Sequence, residues 1–161
     1  ELVVGTHGRS IYVASVKELQ QLRDTILEKE LHTFALAERR HSNRWGNSFA
    51  WWYETDEPEM QIPFYAKDAG KIEFSIVAAK KKDTVLKKWS SNANKGLNYE
   101  TYNFELAKDK AEVVKKWLAE NKKENIELKE ADNGKYYLPK GEYIVKIKKG
   151  NIIEEQKLVL K

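Results

Sequence analysis

The sequence predicts a mainly β fold: an antiparallel sandwich with a short N-terminal helical linker and one inserted helix. Three observations predict it. The first is Lys135–Ile147, KYYLPKGEYIVKI. Pro139 lacks a backbone donor and has a fixed φ, so it belongs where a strand begins rather than inside a ladder. Gly141 permits a corner, after which Tyr143, Val145 and Ile147 share one face and Ile144, Lys146 and Lys148 the other. The second observation is that such alternation recurs over Glu59–Ala66 (Met60, Ile62, Phe64) and Lys71–Ala78 (Ile72, Phe74, Ile76). The third is the short, turn-rich spacing between these runs, which suits antiparallel hairpins.

In chain order, Leu2–Val4 and Ile11–Val13 are apolar β-type runs around the turn Gly5-Thr6-His7-Gly8-Arg9-Ser10. This pair has no sheet of its own, and a hairpin alone is marginal. Ser15-Val16-Lys17-Glu18 and Thr25-Ile26-Leu27-Glu28 have the spacing of capping boxes, predicting two short helices with a break near Arg23-Asp24. Leu31–Leu36 is a short extended segment, and Glu38–Asn47 is polar and irregular, the best linker candidate. Lys80–Asp83 closes a hairpin into Thr84–Trp89, Ser90–Lys95 is a polar loop, and Gly96–Leu106 is a further strand. Asp109 with Glu112 makes a third capping box. Val114, Trp117 and Leu118 then predict an amphipathic helix over Lys110–Asn121. Ile126–Leu128 and Lys135–Leu138 flank Asn133-Gly134, a type I′ hairpin signal. Lys149-Gly150-Asn151 turns the chain into the last strand, Ile152–Leu160. The expected organisation is residues 1–14 as a separate strand segment, 15–47 as linker and 48–161 as the sandwich.

With 161 residues, 41% hydrophobic content, 5 Trp, 8 Tyr and 5 Phe, the chain has material for one ordinary domain and its core. The net charge of +4 arises from 29 basic and 25 acidic residues spread along the chain, which gives no ground for nucleic-acid binding. The Lys80-Lys81-Lys82 and Lys87-Lys88 cluster reads as a solvated hairpin tip. Zero cysteines exclude disulfides, thiolate metal sites and thiol catalysis. No apolar run approaches the ~20 residues of a membrane span. The chain opens at Glu1 inside a strand-like pattern, so it is expected to be the C-terminal piece of a longer protein.

Two separated stretches point to one family. Leu2–Val13, LVVGTHGRSIYV, resembles the closing segment of bacterial β-propellers built from sortilin-like (BNR-type) repeats. Gly96-Leu97-Asn98 with Tyr102, and Leu138-Pro139-Lys140-Gly141-Glu142-Tyr143, are similar to the pattern of the immunoglobulin-like or fibronectin-III-like sandwich that follows such propellers. The latter motif is also shared with flagellar hook-assembly proteins. Tyr102 stands where that pattern usually has Trp. The resemblance implies an Ig-like sandwich, an upstream propeller domain as partner, and export to the periplasm or cell surface. It implies a structural or protein-interaction role without catalysis or cofactor.

The candidate chemistry is sparse. His7 and Arg9 could act as base and anion clamp, and an accessory domain of a propeller-type hydrolase would use them at the domain junction. Without a nearby nucleophile or second carboxylate, a polar turn is the simpler reading. His7, His32 and His41 have no metal-ligand spacing. Gly5-Thr6-His7-Gly8 lacks the Lys-Ser/Thr ending of a phosphate loop and leads into a strand. Trp45, Trp51, Trp52 and Tyr53 form the densest aromatic cluster, and exposed rings would suit stacking of a sugar. Because large aromatics are usually buried for their area, the favoured expectation is that some are core and the rest seal the linker on the sandwich. Glu54, Asp56, Glu57 and Glu59 could supply paired carboxylates held about 5–10 Å apart for glycoside hydrolysis. A flexible acidic loop before Pro58 is the simpler reading, and no calcium-loop spacing is present. Trp89 and Trp117 are expected in the core or docking a helix.

Overall fold

The elements run in the order β1 (Leu2–Gly5), β2 (Ile11–Ala14), α1 (Lys17–Gln21), α2 (Asp24–Leu27), β3 (Leu31–Thr33), β4 (Met60–Ala66), β5 (Gly70–Ala78) and β6 (Lys81–Ala93). Then follow β7 (Gly96–Tyr102), β8 (Glu105–Leu106), a 3-10 turn over Lys108–Lys110, α3 (Ala111–Glu120), β9 (Tyr136–Tyr137), β10 (Gly141–Lys149) and β11 (Ile152–Leu160). The structure is a computed structural model and describes residues 1–8, 10–79, 81–120 and 128–161.

Two sheets make the sandwich: a four-stranded sheet ordered β11-β10-β5-β6 and a three-stranded sheet ordered β3-β4-β7, every neighbour antiparallel. The alternating residues supply the two inner faces. Met60, Ile62, Phe64 and Ala66 from β4 meet Ile72, Phe74 and Ile76 from β5, with Val145 and Ile147 from β10 and Leu158 and Leu160 from β11. Phe64 and Phe74 touch edge to face across the sandwich, centroids 5.6 Å apart. Pro63 sits mid-strand without breaking the ladder. Its carbonyl accepts from the Phe34 N–H, so its nitrogen also faces that edge, past the end of β3 and away from β7.

The opening motif folds as its residues suggest. Tyr143 faces the core at 3% exposure, and its hydroxyl donates to the Pro139 carbonyl at 2.6 Å, locking the corner that begins β10. Burial also raises the Tyr143 pKa. β10 returns through Gly150, at φ 57°, into β11; Gly in the first central position of a two-residue loop is the type II′ signal.

Several expectations need correction. None of the three capping boxes forms: Val16 and Arg23 precede α1 and α2 with no side-chain cap, and Asp109 lies inside the 3-10 turn, paired with Lys110. Glu112 instead pairs with Lys115 on the same helix. Ser90–Ala93 is strand, not loop, because β6 runs on to Ala93 opposite Gly70. The strand expected over Gly96–Leu106 breaks at Phe104, whose φ of 59° is unusual for a bulky residue. The break turns β8 away to pair with β9, and the Phe104 carbonyl accepts from Leu138. Asn133-Gly134 does not make a type I′ turn. Only Gly134 has positive φ, and its N–H donates to Ala131 (2.8 Å), so a type I turn followed by a left-handed glycine fits. Tyr136–Tyr137 pairs with β8; the partner expected for it, Ile126–Leu128, lies mostly outside the described residues, as do Asn121 and Lys80.

The segment expected as linker is built into the sandwich. Leu31, Thr33 and Phe34 are buried, and β3 is an edge strand of the three-stranded sheet. The Tyr65 hydroxyl donates to Leu27, so the end of α2 covers the outer face of β4. Residues 39–41 then run beside β11: Arg39 N–H donates to Val159, Lys161 to Arg39 and His41 to Lys161. The chain therefore crosses from one sheet to the other along this edge and covers it.

His32 lies in β3 and His41 on the crossing. Burial lowers both pKa values, aided by Lys29 and Lys140 respectively, while Glu154 pulls His32 the other way. Nδ1 of each is buried without a hydrogen-bond partner; the Glu154 carboxylate, 4.0 Å from His32 Nδ1, offsets only part of the cost of a proton there. The unfolded chain takes up these protons first, below about 6.5. Stability is thus expected to be level above that pH and to fall below it, before the carboxylates titrate. Urea midpoints across a pH series check this, and a His32→Gln/His41→Gln double variant should flatten the decline.

Candidate functional site: an exposed aromatic loop

Between the crossing segment and β4 the chain makes a loop over residues 47–55 whose ends are tied together. Gly46 N–H donates to the Asp56 carbonyl (2.7 Å), and Asp56 N–H donates to Asn47 (3.2 Å). Closely spaced ends with a structured root are the mark of an Ω-type loop.

The root is held from two sides. Trp45 is buried at 8% exposure and stacks on Phe104, with centroids 5.0 Å apart and planes 19° from parallel. It continues a contact series running Phe64, Phe74, Trp89, Tyr102, Phe104, Trp45. Trp89 is partly buried and packs against the core between Phe74 and Tyr102, and its indole N–H donates to Glu100. Trp117 is half-buried on α3, beside an apolar cavity of about 230 Å³ shared with Leu86 and Tyr143. On the other side of the root stands the turn over residues 131–135. Asn133 N–H donates to Gly46, Ser48 N–H to the Asp132 carboxylate and Asp132 N–H to the Asn47 side chain. Gly46 has φ 73°, and a Cβ there would lie 2.4 Å from the Tyr137 ring, so only glycine lets the two segments meet this closely.

Glu57 completes the clamp by accepting from Lys135 (2.9 and 3.1 Å) and Asn133 (3.0 Å), and those hydrogen bonds hold its pKa down. The acidic run thus divides: Glu57 is a structural partner, Asp56 gives its backbone to the root, and Glu54 stays on the exposed loop. Nothing in these contacts assembles a facing pair of catalytic carboxylates.

The tip is what the burial argument misplaced. Phe49 is 79% exposed, Trp51 90%, Trp52 67% and Tyr53 62%. Trp51, Trp52 and Tyr53 therefore neither fill the core nor seal the chain onto the sandwich; Trp45 alone of the expected cluster is core. With residues 46 and 56 joined and the end of the sandwich already plugged by Trp45, the intervening side chains are left outside. They touch mainly one another: Trp51 and Trp52 cross at 87° with centroids 5.3 Å apart, and Phe49 and Tyr53 cross at 85°. Arg44 rests 5.9 Å from the centre of the Phe49 ring, a cation–π contact. Below the tip, Arg39, Arg40, Trp45, Asp56, Glu57 and Glu59 line most of an open hollow of about 540 Å³.

Phe49, Arg44 and Asp132 are not site candidates in the sequence reading, and Asn133 figures there only as part of a turn signal. Gly46 directly after a Trp was the available signal. His7 is exposed in the hairpin turn, where Thr6 and Ser10 tie the backbone, and Arg9 lies outside the described residues. Among the described residues no His, Asp or Glu cluster could hold a metal ion, and no helix is long and apolar enough to cross a membrane.

Compared with known proteins, the chain matches no family model and no curated sequence.

Proposed function

We propose that the chain is a non-catalytic interaction module of a larger, exported β-propeller protein: an Ig-like sandwich that presents β1–β2 to a neighbouring propeller. One observation carries this reading. Leu2, Val3, Val4, Ile11, Tyr12 and Val13 are between 46% and 75% exposed on a hairpin whose strands pair only with each other. By register, Leu2, Val4 and Tyr12 share one face and Val3, Ile11 and Val13 the other, so both faces are apolar. A strand pair of this kind suits burial on both sides with its edges hydrogen-bonded, as in a sheet packed between two others. The sheet orders and the Tyr143–Pro139 corner support the Ig-like part.

Deleting residues 1–14 is expected to change the sandwich's unfolding free energy by no more than about 0.5 kcal/mol. Amide exchange supplies the decisive comparison. The amides of β1 and β2 should exchange rapidly in this 161-residue chain and become protected in a longer product carrying the upstream domain. Equal lack of protection in both, or unfolding of the deletion variant, would sink the reading.

A further inference from the structure

We propose that the loop over residues 47–55 is a binding site for a soluble, uncharged polysaccharide chain. The proposal is independent of the hairpin reading, since hairpin and loop can be altered separately. An equatorially substituted pyranose has apolar C–H faces and a rim of hydroxyl groups. It therefore needs an aromatic face to stack on and, beside it, groups that donate and accept hydrogen bonds. The loop offers both. Trp51 and Trp52 are the most and third most exposed rings of the tip, and the hollow at the root is lined by Arg39 and Arg40 together with Glu38, Asp56, Glu57 and Glu59. Charges of both signs suit hydroxyls better than a polyanion, which the carboxylates would repel.

The rings are held ready. Loop ends, Trp45 and the 131–135 turn fix the root, so binding orders less chain than at a flexible loop. Ring geometry narrows the ligand further. Indole planes crossed at 87° cannot both lie on a flat crystalline surface, whereas successive sugars of a twisted single chain present faces in different directions. A lipid bilayer fits the tip less well, because Glu54, on the exposed loop beside the rings, would be drawn towards the headgroups along with them.

The test is native electrophoresis of the full chain through gels containing hydroxyethylcellulose, xyloglucan, xylan or a soluble β-1,3-glucan, followed by calorimetry on whichever retards it. Retardation by at least one is expected, with no sedimentation on microcrystalline cellulose. Trp51→Ala and Trp52→Ala should each weaken binding about tenfold at an unchanged melting temperature, while Trp51→Tyr retains most of it. Tyr12→Ala, in the hairpin, should bind as the parent does. The proposal is overturned by no retardation in any gel, or by retardation that survives the Trp51→Ala/Trp52→Ala double variant. A dimer in sedimentation velocity that the double variant dissolves would equally overturn it, by assigning the rings to a second copy.

Discussion

Trp45→Ala is expected to remove about 3–5 kcal/mol of unfolding free energy. Trp45 is the ring that continues the aromatic series of the core beyond Phe104. It stacks on Phe104, meets Tyr137 at 6.2 Å and His41 at 4.9 Å, and is 8% exposed. Truncation loses the transfer free energy of a large ring and leaves a cavity beside Phe104. That neighbour is itself completely buried and fixed by an unusual backbone, so it is poorly placed to collapse into the space. Trp45→Phe keeps a ring on Phe104 and should lose less than half as much. Guanidinium unfolding of the three proteins checks this. Trp51→Ala is the natural control: the same residue type, six positions along, should shift stability by about 0.5 kcal/mol at most, because its ring is 90% exposed. A loss below about 1.5 kcal/mol for Trp45→Ala would mean that Trp45 does not anchor the loop to the core.

That contrast explains what sequence could and could not convey. Alternation over β5 and β10 was legible because one face of each strand carries most of its core residues and a one-residue slip would invert it, and on β4 the inner-face residues Met60, Ile62 and Phe64 kept the period although the outer face is largely covered too. The Pro139–Tyr143 corner was legible because it combines a residue with no donor, a glycine and a core ring. Inside the aromatic cluster no period exists. Trp45 and Trp51 are the same residue type, and contacts between distant segments, the closure of residue 46 onto residue 56 among them, put one inside and the other outside. A burial preference averaged over tryptophans carries no information about that closure. The same limit accounts for Asn133-Gly134. The pair marks a turn correctly, but its type is set by the contacts Asn133 makes with Gly46 and Glu57, which are distant in sequence. The three capping boxes failed for a related reason: α1 and α2 span only Lys17–Gln21 and Asp24–Leu27, and α3 is reached through a 3-10 turn, so the expected cap positions are not the ones the chain uses. The linker reading failed because polar, irregular composition is compatible with a segment that satisfies its backbone along a sheet edge, as residues 39–41 do beside β11.

The candidate site is thus set by contacts between distant segments, and Gly46 is where they converge. Gly46→Ala is expected to cost about 2–4 kcal/mol through two separable effects. The first is conformational: φ of 73° is left-handed, which an L side chain adopts at a cost of about 1–2 kcal/mol. The second is steric. The new Cβ would lie 2.4 Å from Tyr137 Cε2, 2.7 Å from Ala131 Cβ and 2.7 Å from Asn133 Oδ1. The Tyr137 ring and the Asn133 amide can rotate only by giving up contacts, and Ala131 Cβ moves only with its backbone. The 131–135 turn must therefore withdraw, taking with it the bonds from Asn133 to Gly46, Ser48 to Asp132 and Asp132 to Asn47. Amide exchange in the variant should accordingly speed up at Ser48, Asp132 and Asn133 while β10 and β11 stay protected. Gly46→Asn separates the two effects, since Asn tolerates the left-handed region better than Ala yet carries the same Cβ. If close approach dominates, Asn will be at least as destabilising as Ala. If Asn is instead nearly neutral, the glycine is there for its backbone alone, and the clamp on the aromatic loop is looser than its distances imply.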